Sequence, residues 1–132
     1  MLHHPVSVPS VILCVDSEST GLRARCLLLS IAGYNVLTAV NVAAAQTILS
    51  RHRVDLVITG NFSSDPTGAQ VASQMKRLKP GVPVALLTGS LESSGEAERA
   101  DLLLSKGMDP AEFLAEIGKL LSKSQPSHAH AA

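Results

Sequence analysis

The chain of 132 residues has few aromatic side chains and no excess of either charge. Its aromatic residues are Tyr34, Phe62 and Phe113, too few to form a platform on which the bases of single-stranded nucleic acid could stack. Eleven basic residues balance eleven acidic ones, so no general attraction to a phosphate backbone or an anionic membrane is expected. These absences argue against nucleic acids and membranes as partners.

Long apolar runs and a cysteine framework are also absent. The first apolar run, residues 11–15, is stopped by Asp16 and is too short for a signal peptide or a membrane span. The two cysteines, Cys14 and Cys26, lie in apolar segments, which is typical of reduced thiols in a protein interior. His128 and His130 lie in a polar tail, where two histidines alone are not expected to form a metal site. We therefore expect a cytoplasmic protein without a cofactor.

What the sequence does contain is a regular alternation of strand and helix patterns. Short, continuous apolar runs are typical of parallel strands buried on both faces. Five such segments are predicted as strands: residues 11–15, 34–40, 54–60, 82–87 and 102–105. A chain of this length forms one domain on the usual prior, so we expect a single core.

Helix signals fill the intervals between the strands. The first helix buries Leu22, Cys26 and Leu29, with Arg23 and Arg25 directed elsewhere. Polar residues 16–20 start this helix, Gly33 ends it and Asn41 caps the second. The third helix is predicted to carry Val71, Met75 and Leu78 on its buried face. Asp109-Pro110 starts a last helix with a buried stripe of Phe113, Ile117, Leu120 and Leu121.

The alternation predicts an α/β fold, a flavodoxin-like, doubly wound (βα)₅ domain with parallel strand order 2-1-3-4-5. The fourth helical segment, Leu91 to Arg99, lacks apolar periodicity and is expected to be short or irregular. The predicted domain covers residues 11–122, between a flexible lead-in at 1–10 and a disordered tail at 123–132.

The strand at 54–60 is the centre of the expected sheet. In an open parallel sheet, ligands bind beyond the carboxyl ends of the strands, which directs attention to Thr59 and Gly60. Gly60 has no side chain that could take part in a reaction, so the functional interpretation of the chain depends on this glycine.

Six short segments, in this order and spacing, resemble the receiver domain of two-component response regulators. They are Ile12 to Glu18, Ala32 to Val36, Asp55 to Thr59, Pro83 to Gly89, Ser105-Lys106 and Asp109 to Phe113. The resemblance covers about residues 11–122. Receivers, as this resemblance implies, transfer a phosphoryl group to an aspartate and use Mg²⁺ held by that aspartate and an acidic pair.

The chain departs from this pattern at the reacting positions. The position of the phosphoacceptor is Gly60, and the acidic pair is Asp16 and Ser17, which leaves one acid. Because Mg²⁺ prefers several oxygen ligands, usually with one or two carboxylates and a phosphate, we predict no metal site here.

The resemblance assigns three further roles at the same edge of the sheet. Thr88 corresponds to the switch hydroxyl and Lys106 to the pocket lysine, while Leu103 stands at the aromatic switch position. Without a phosphoryl group to reach, the Thr88 hydroxyl is expected to bond to backbone instead. Lys106, if partly buried, needs a carboxylate, for which Asp16 is the nearest candidate.

Simpler interpretations of these residues remain open. Gly60 could serve only as turn punctuation, and Asp16 could serve only as a helix cap. Ser63 and Asp65, in the loop after Gly60, are conceivable substitute acceptors. Their displacement along that loop argues against the idea, because phosphoryl transfer depends on strict in-line positioning.

Together these features predict a stand-alone, degenerate receiver that is not an enzyme. It would act as a phosphorylation-independent protein-interaction module in bacterial signal transduction, with a sensor kinase or a downstream regulator as partner. By resemblance, receivers also use the face of their fourth helix, fifth strand and last helix to dimerise. Leu91, Leu102 and Leu103 are the candidate exposed residues there. The alternatives are a phospho-competent receiver with a displaced acceptor and a flavodoxin-like small-molecule binder.

Overall fold

The computed structural model describes residues 8–60, 67–89 and 100–124, which form a five-stranded parallel sheet in the order β2-β1-β3-β4-β5. The elements are β1 Val11–Val15, α1 Ser19–Ile31, β2 Asn35–Ala39, α2 Val42–Arg51, β3 Leu56–Thr59, α3 Gly68–Leu78, β4 Val84–Thr88, β5 Leu102–Ser105 and α4 Pro110–Ser124. This confirms the predicted fold class and strand order. The predicted fourth helical segment, residues 91–99, lies outside the described residues.

The sheet separates two hydrophobic cores because successive strand residues point to opposite faces. Ile12 and Ile58 pack on the face covered by α1 and α4. Leu13 and Val57 pack on the other face, against α2 and α3. The two central strands, β1 and β3, are thus buried on both sides, which explains their unbroken apolar sequences. None of the helices in the described ranges combines the length and apolar character needed to cross a bilayer.

The end of α1 is fixed by Gly33, which has a φ of 103°. This left-handed conformation favours glycine. It lets the Gly33 N–H donate to the carbonyl of Ser30 at 3.0 Å and the Tyr34 N–H donate to that of Leu29 at 3.1 Å. The predicted helix stop is therefore confirmed, and the chain is turned directly into β2.

Two aspartates bind backbone at the amino edge of the sheet. The N–H of Asp55 donates to the carbonyl of Val11 at 2.8 Å, and the Val11 N–H donates back to the Asp55 carboxylate at 2.8 Å. Asp101 and Val84 repeat the arrangement, with both bonds at 2.7 Å. A basic side chain pairs with each carboxylate. These acids extend the strand ladders, and they lie at the opposite edge from the candidate site.

The apolar faces of the helices follow the predictions with three exceptions, the first of which is Cys26 of α1, which is only half-buried. In α3, Val71 and Met75 are buried as predicted, but Leu78 is 41% exposed. Leu78 is the last residue of its helix, where the chain turns away from the core. In α4, the predicted stripe is buried apart from Leu120, which is half-buried. That helix continues to Ser124, two residues into the segment predicted as a tail.

Both cysteines are free, as predicted. Burial raises the pKa of the Cys14 thiol from 9.0 to about 12, since desolvation disfavours the thiolate. Cys14 is therefore a packing residue of the core on the α1 side, and its thiol stays protonated at neutral pH.

Candidate functional site

Four of the predicted site residues lie at the carboxyl edge of the sheet. Asp16 directly follows β1 and Gly60 directly follows β3, while Thr88 ends β4 and Lys106 follows β5. The Gly60 N–H donates to the carbonyl of Val15 at 2.7 Å, and the Lys106 N–H donates to that of Thr88 at 3.0 Å. The strand ladders therefore hold the backbone of the site in a fixed register.

Asp16 is the buried charge at this edge, with a relative exposure of 4%. Its Oδ1 accepts a bond from the N–H of Glu18 at 2.8 Å, and its own N–H donates to the carbonyl of Ala39 at 3.1 Å. Its Oδ2 accepts from Nη2 of Arg25 in a salt bridge. The N-cap of α1 is Glu18, whose carboxylate accepts from the Gly21 N–H. Asp16 is thus not the helix cap that the simpler interpretation made it.

Gly60 provides the space that the Asp16 carboxylate occupies. A Cβ atom added at Gly60 would lie 2.5 Å from Cγ of Asp16, closer than real Cβ atoms approach their neighbours, so the carboxylate would have to move. Gly60 does not have a positive φ, which among the described residues only Gly33 has. A turn conformation therefore does not require glycine at this position, whereas the buried carboxylate beside it does.

Arg25 is a residue of the candidate site that the sequence patterns did not indicate. It was expected to point away from the buried side of its helix, but its side chain is only 17% exposed and it pairs with Asp16. Side chains on an α-helix lean toward the helix N-terminus. A long arginine in the second turn of α1 can therefore reach back to an acid that precedes the helix, and this geometric rule is the signal that could have identified it.

The remaining predicted site residues differ in exposure. Lys106 is exposed, so the partial burial on which its pairing with Asp16 was conditional is not met, and Asp16 pairs with Arg25. Ser17 is exposed as well, whereas Thr88 is buried and Leu103 is half-buried at the sheet edge. The loop positions Ser63 and Asp65 lie outside the described residues.

A groove of about 270 Å³ runs beside this site between α1 and the start of α4. Its apolar lining includes Leu28, Leu87 and Phe113, and its cationic lining consists of Arg25 and Lys106. The groove brings the two basic residues of the site to one concave surface, with the guanidinium held inward by Asp16.

The sheet order and this edge define the class of protein. The chain matches the response regulator receiver domain family over residues 12–118 and belongs to that family. It is 31% identical over 123 residues to the transcriptional regulatory protein GlrR of Escherichia coli, covering 90% of this chain and 28% of GlrR. It is 26% identical over 130 residues to the phosphate regulon regulatory protein PhoB of Pseudomonas aeruginosa, covering 94% of this chain and 57% of PhoB. The chain thus spans only part of these relatives.

Solved structures of receiver domains share the fold of this chain. A CheY-like receiver domain protein from Methanospirillum hungatei superposes with a TM-score of 0.80 at 24% identity, covering 89% of this chain and 97% of that one. The receiver domain of an HD domain-containing protein from Pseudomonas fluorescens gives 0.80 at 26% identity, covering 94% and 95%. The regulator TrrA from Thermotoga maritima, solved in complex with Mg²⁺–BeF, gives 0.76 at 26% identity, covering 84% and 98%.

The described residues at this edge do not fit the Mg²⁺ that the family implies. Within residues 8–60, 67–89 and 100–124 there is no group of three or more histidine, cysteine, aspartate or glutamate side chains that could hold a metal ion. Asp16 is the one acid among the four site residues at the carboxyl edge, and one of its oxygens already accepts from the Arg25 guanidinium. Mg²⁺ requires near-octahedral oxygen ligands, which a single, cation-paired carboxylate cannot supply.

Proposed function

We propose that this chain is a degenerate receiver that acts as a protein-interaction module and takes no phosphoryl group at position 60. The observation that supports this most directly is the contact between Gly60 and Asp16. The position that the resemblance assigns to the phosphoacceptor has no side chain, and the space for one is filled by a carboxylate paired with Arg25. The proposal concerns the receiver domain itself, whether or not other domains accompany it.

Chemistry gives the reason for inactivity. Phosphoryl transfer requires a positioned nucleophile and cations that neutralise the developing charge. A backbone glycine offers no nucleophile, and the carboxylate of Asp16 is occupied by a guanidinium and a backbone N–H. The proposal therefore includes that the domain is not an enzyme and requires no cofactor.

We expect the mass of the intact protein to stay unchanged after incubation with acetyl phosphate and Mg²⁺. The reason is the missing carboxylate at Gly60, and the measurement is intact-protein mass spectrometry under acidic quench. A phosphorylatable receiver treated in parallel serves as the positive control. An adduct mapped to Asp65 or Ser63 would contradict the proposal and favour the displaced-acceptor alternative.

A receiver that is not phosphorylated must signal from a fixed state or through regulated association. We propose that a sensor kinase, a downstream regulator or a second copy binds the face formed by β5 and α4. β5 is an edge strand, and its residues Leu102 and Leu103 are only half-buried. Leu91, the third residue expected on this face, lies outside the described residues. An incompletely covered apolar edge is typical of an interaction surface.

The competing surface is on α1, where Leu27 and Ile31 are 62% and 76% exposed. The paired variants Ala115→Glu and Leu27→Glu separate the two faces, since both positions are exposed helix sites. We expect Ala115→Glu to weaken association about tenfold, the effect of roughly 1.4 kcal/mol, and Leu27→Glu to leave it unchanged. Sedimentation measures self-association and titration calorimetry measures partner binding, with thermal melting to verify folding. The reverse result would assign the contact to α1.

The groove beside α1 is the observation relevant to a small-molecule function. Its volume is about 270 Å³, and a depression of about 620 Å³ lies on the outer side of α1 near Thr38, which is within the roughly 300–1,000 Å³ of typical ligand sites. The interaction module is our proposal because of the filled position beside Gly60 and the half-buried edge strand β5, not because of cavity size.

A further inference from the structure

We infer that the guanidinium of Arg25 takes the place of the divalent cation at Asp16, so that this receiver carries its own permanent counter-cation. The disagreement between family and chain motivates this: the family implies Mg²⁺ at this edge, and the chain has an arginine there instead. The Asp16–Arg25 pair would be present whatever partner the domain binds. The inference therefore does not depend on the interaction role.

Three contacts of the described residues support the substitution. The Asp16 carboxylate is buried, with only 5% of its side chain exposed, and its negative charge needs compensation there. Arg25 supplies a positive charge through Nη2, from a side chain that is itself 17% exposed. The N–H of Glu18 satisfies the other carboxylate oxygen at 2.8 Å. The charge of the site is thus balanced by the chain alone.

Arginine suits this role for a chemical reason. Its guanidinium stays protonated at all physiological pH values and offers five donors in a planar fork that matches a carboxylate. A metal ion leaves when its concentration falls, whereas a covalently attached cation does not. The electrostatic state of this edge should therefore be independent of divalent metal concentration.

Gly60 and Ser17 complete the substitution. Gly60 leaves room for the carboxylate to turn toward Arg25, as the 2.5 Å approach of a hypothetical Cβ to Cγ of Asp16 indicates. Ser17 is exposed and contributes no second acid. An acid at position 17 would restore the acidic pair that Mg²⁺ needs. Mg²⁺ could bind that pair only if the Arg25 guanidinium no longer occupied the position of the cation.

The test compares two variants by thermal melting with and without millimolar MgCl₂, at ionic strength matched with NaCl. Ser17→Asp restores the acidic pair and keeps Arg25, while Ser17→Asp/Arg25→Met restores the pair and removes the guanidinium at similar length. We expect MgCl₂ to leave the melting temperature of the native chain and of Ser17→Asp unchanged. In the double variant it should raise the melting temperature by about 3–5 °C, because metal binds only the folded state.

A shift of equal size in both variants would show that Arg25 does not occupy the position of the cation. A shift in neither variant would show that Mg²⁺ does not bind at Asp16 even when the guanidinium is removed. Either result overturns the inference. Should Arg25→Met fail to fold, Ser17→Asp/Arg25→Gln provides the same comparison with a neutral, polar side chain. Titration calorimetry with MgCl₂ on the folded variants gives an independent measure of binding.

Discussion

Gly60→Asp is expected to destabilise the domain by about 3–5 kcal/mol, the cost of disrupting a buried ion pair, without restoring phosphorylation. The new side chain would begin 2.5 Å from Cγ of Asp16, so that carboxylate must leave its seat beside Arg25. A second negative charge would then compete for the same guanidinium. Urea denaturation measures the loss of stability, and intact mass after incubation with acetyl phosphate measures phosphorylation.

Gly81→Asp is the matched control, because Gly81 is exposed in the turn after α3 and a Cβ there meets nothing within 4 Å. We expect it to change the free energy of unfolding by less than about 0.5 kcal/mol. Ser17→Asp added to Gly60→Asp should improve phosphorylation, and Arg25→Met added to both should improve it further. A fully stable, phosphorylated Gly60→Asp single variant would contradict the steric account of the site.

Ile58→Ala should lower the free energy of unfolding by about 2–5 kcal/mol, the range for removing buried methyl groups from a packed core. Ile58 is 1% exposed on the central strand β3 and packs in the core shared with α1 and α4. It lies two residues before Gly60, so its packing also holds the backbone of the site. Equilibrium urea denaturation followed by circular dichroism measures the change.

Ile31→Ala makes the same chemical change at an exposed position, since Ile31 at the end of α1 is 76% exposed. We expect an effect within about 0.5 kcal/mol, as for surface substitutions in general. Comparable losses in the two variants would mean that β3 is not the centre of the core.

The strands were predictable because short apolar runs lie between the helical patterns, and the central strands β1 and β3 are buried on both faces. β1 has the predicted bounds of 11–15, and the half-buried edge strand β5 has those of 102–105. Helix ends were predictable where chemistry is local, as at Gly33 and at Asn41, whose side chain accepts from the Ala44 N–H at 2.8 Å. Position 60 could also be located, because the carboxyl end of a central strand is a fixed place in this fold.

The contacts within the site were not predictable from these patterns. Periodicity tells which face of α1 is apolar, but it does not tell where a long side chain at the margin of that face ends. Arg25 is such a residue, and its partner Asp16 lies outside the helix. The same limit applies to Lys106, whose pairing with Asp16 was expected only if its side chain were partly buried, and the sequence pattern does not determine that exposure.

The Asp16–Arg25 pair beside Gly60 also restricts how sequences descended from this one can change. An acid regained at position 60 would clash with the Asp16 carboxylate that is paired with Arg25, so we expect that substitution to lower stability while Arg25 remains. Loss of Arg25 alone leaves Asp16 with an uncompensated buried charge, so that step is harmful as well. A lineage that regains an acid at position 60 by one substitution at a time is therefore expected to pass through a less stable intermediate. Lineages derived from this chain should keep glycine at 60 and arginine at 25 together, or exchange both.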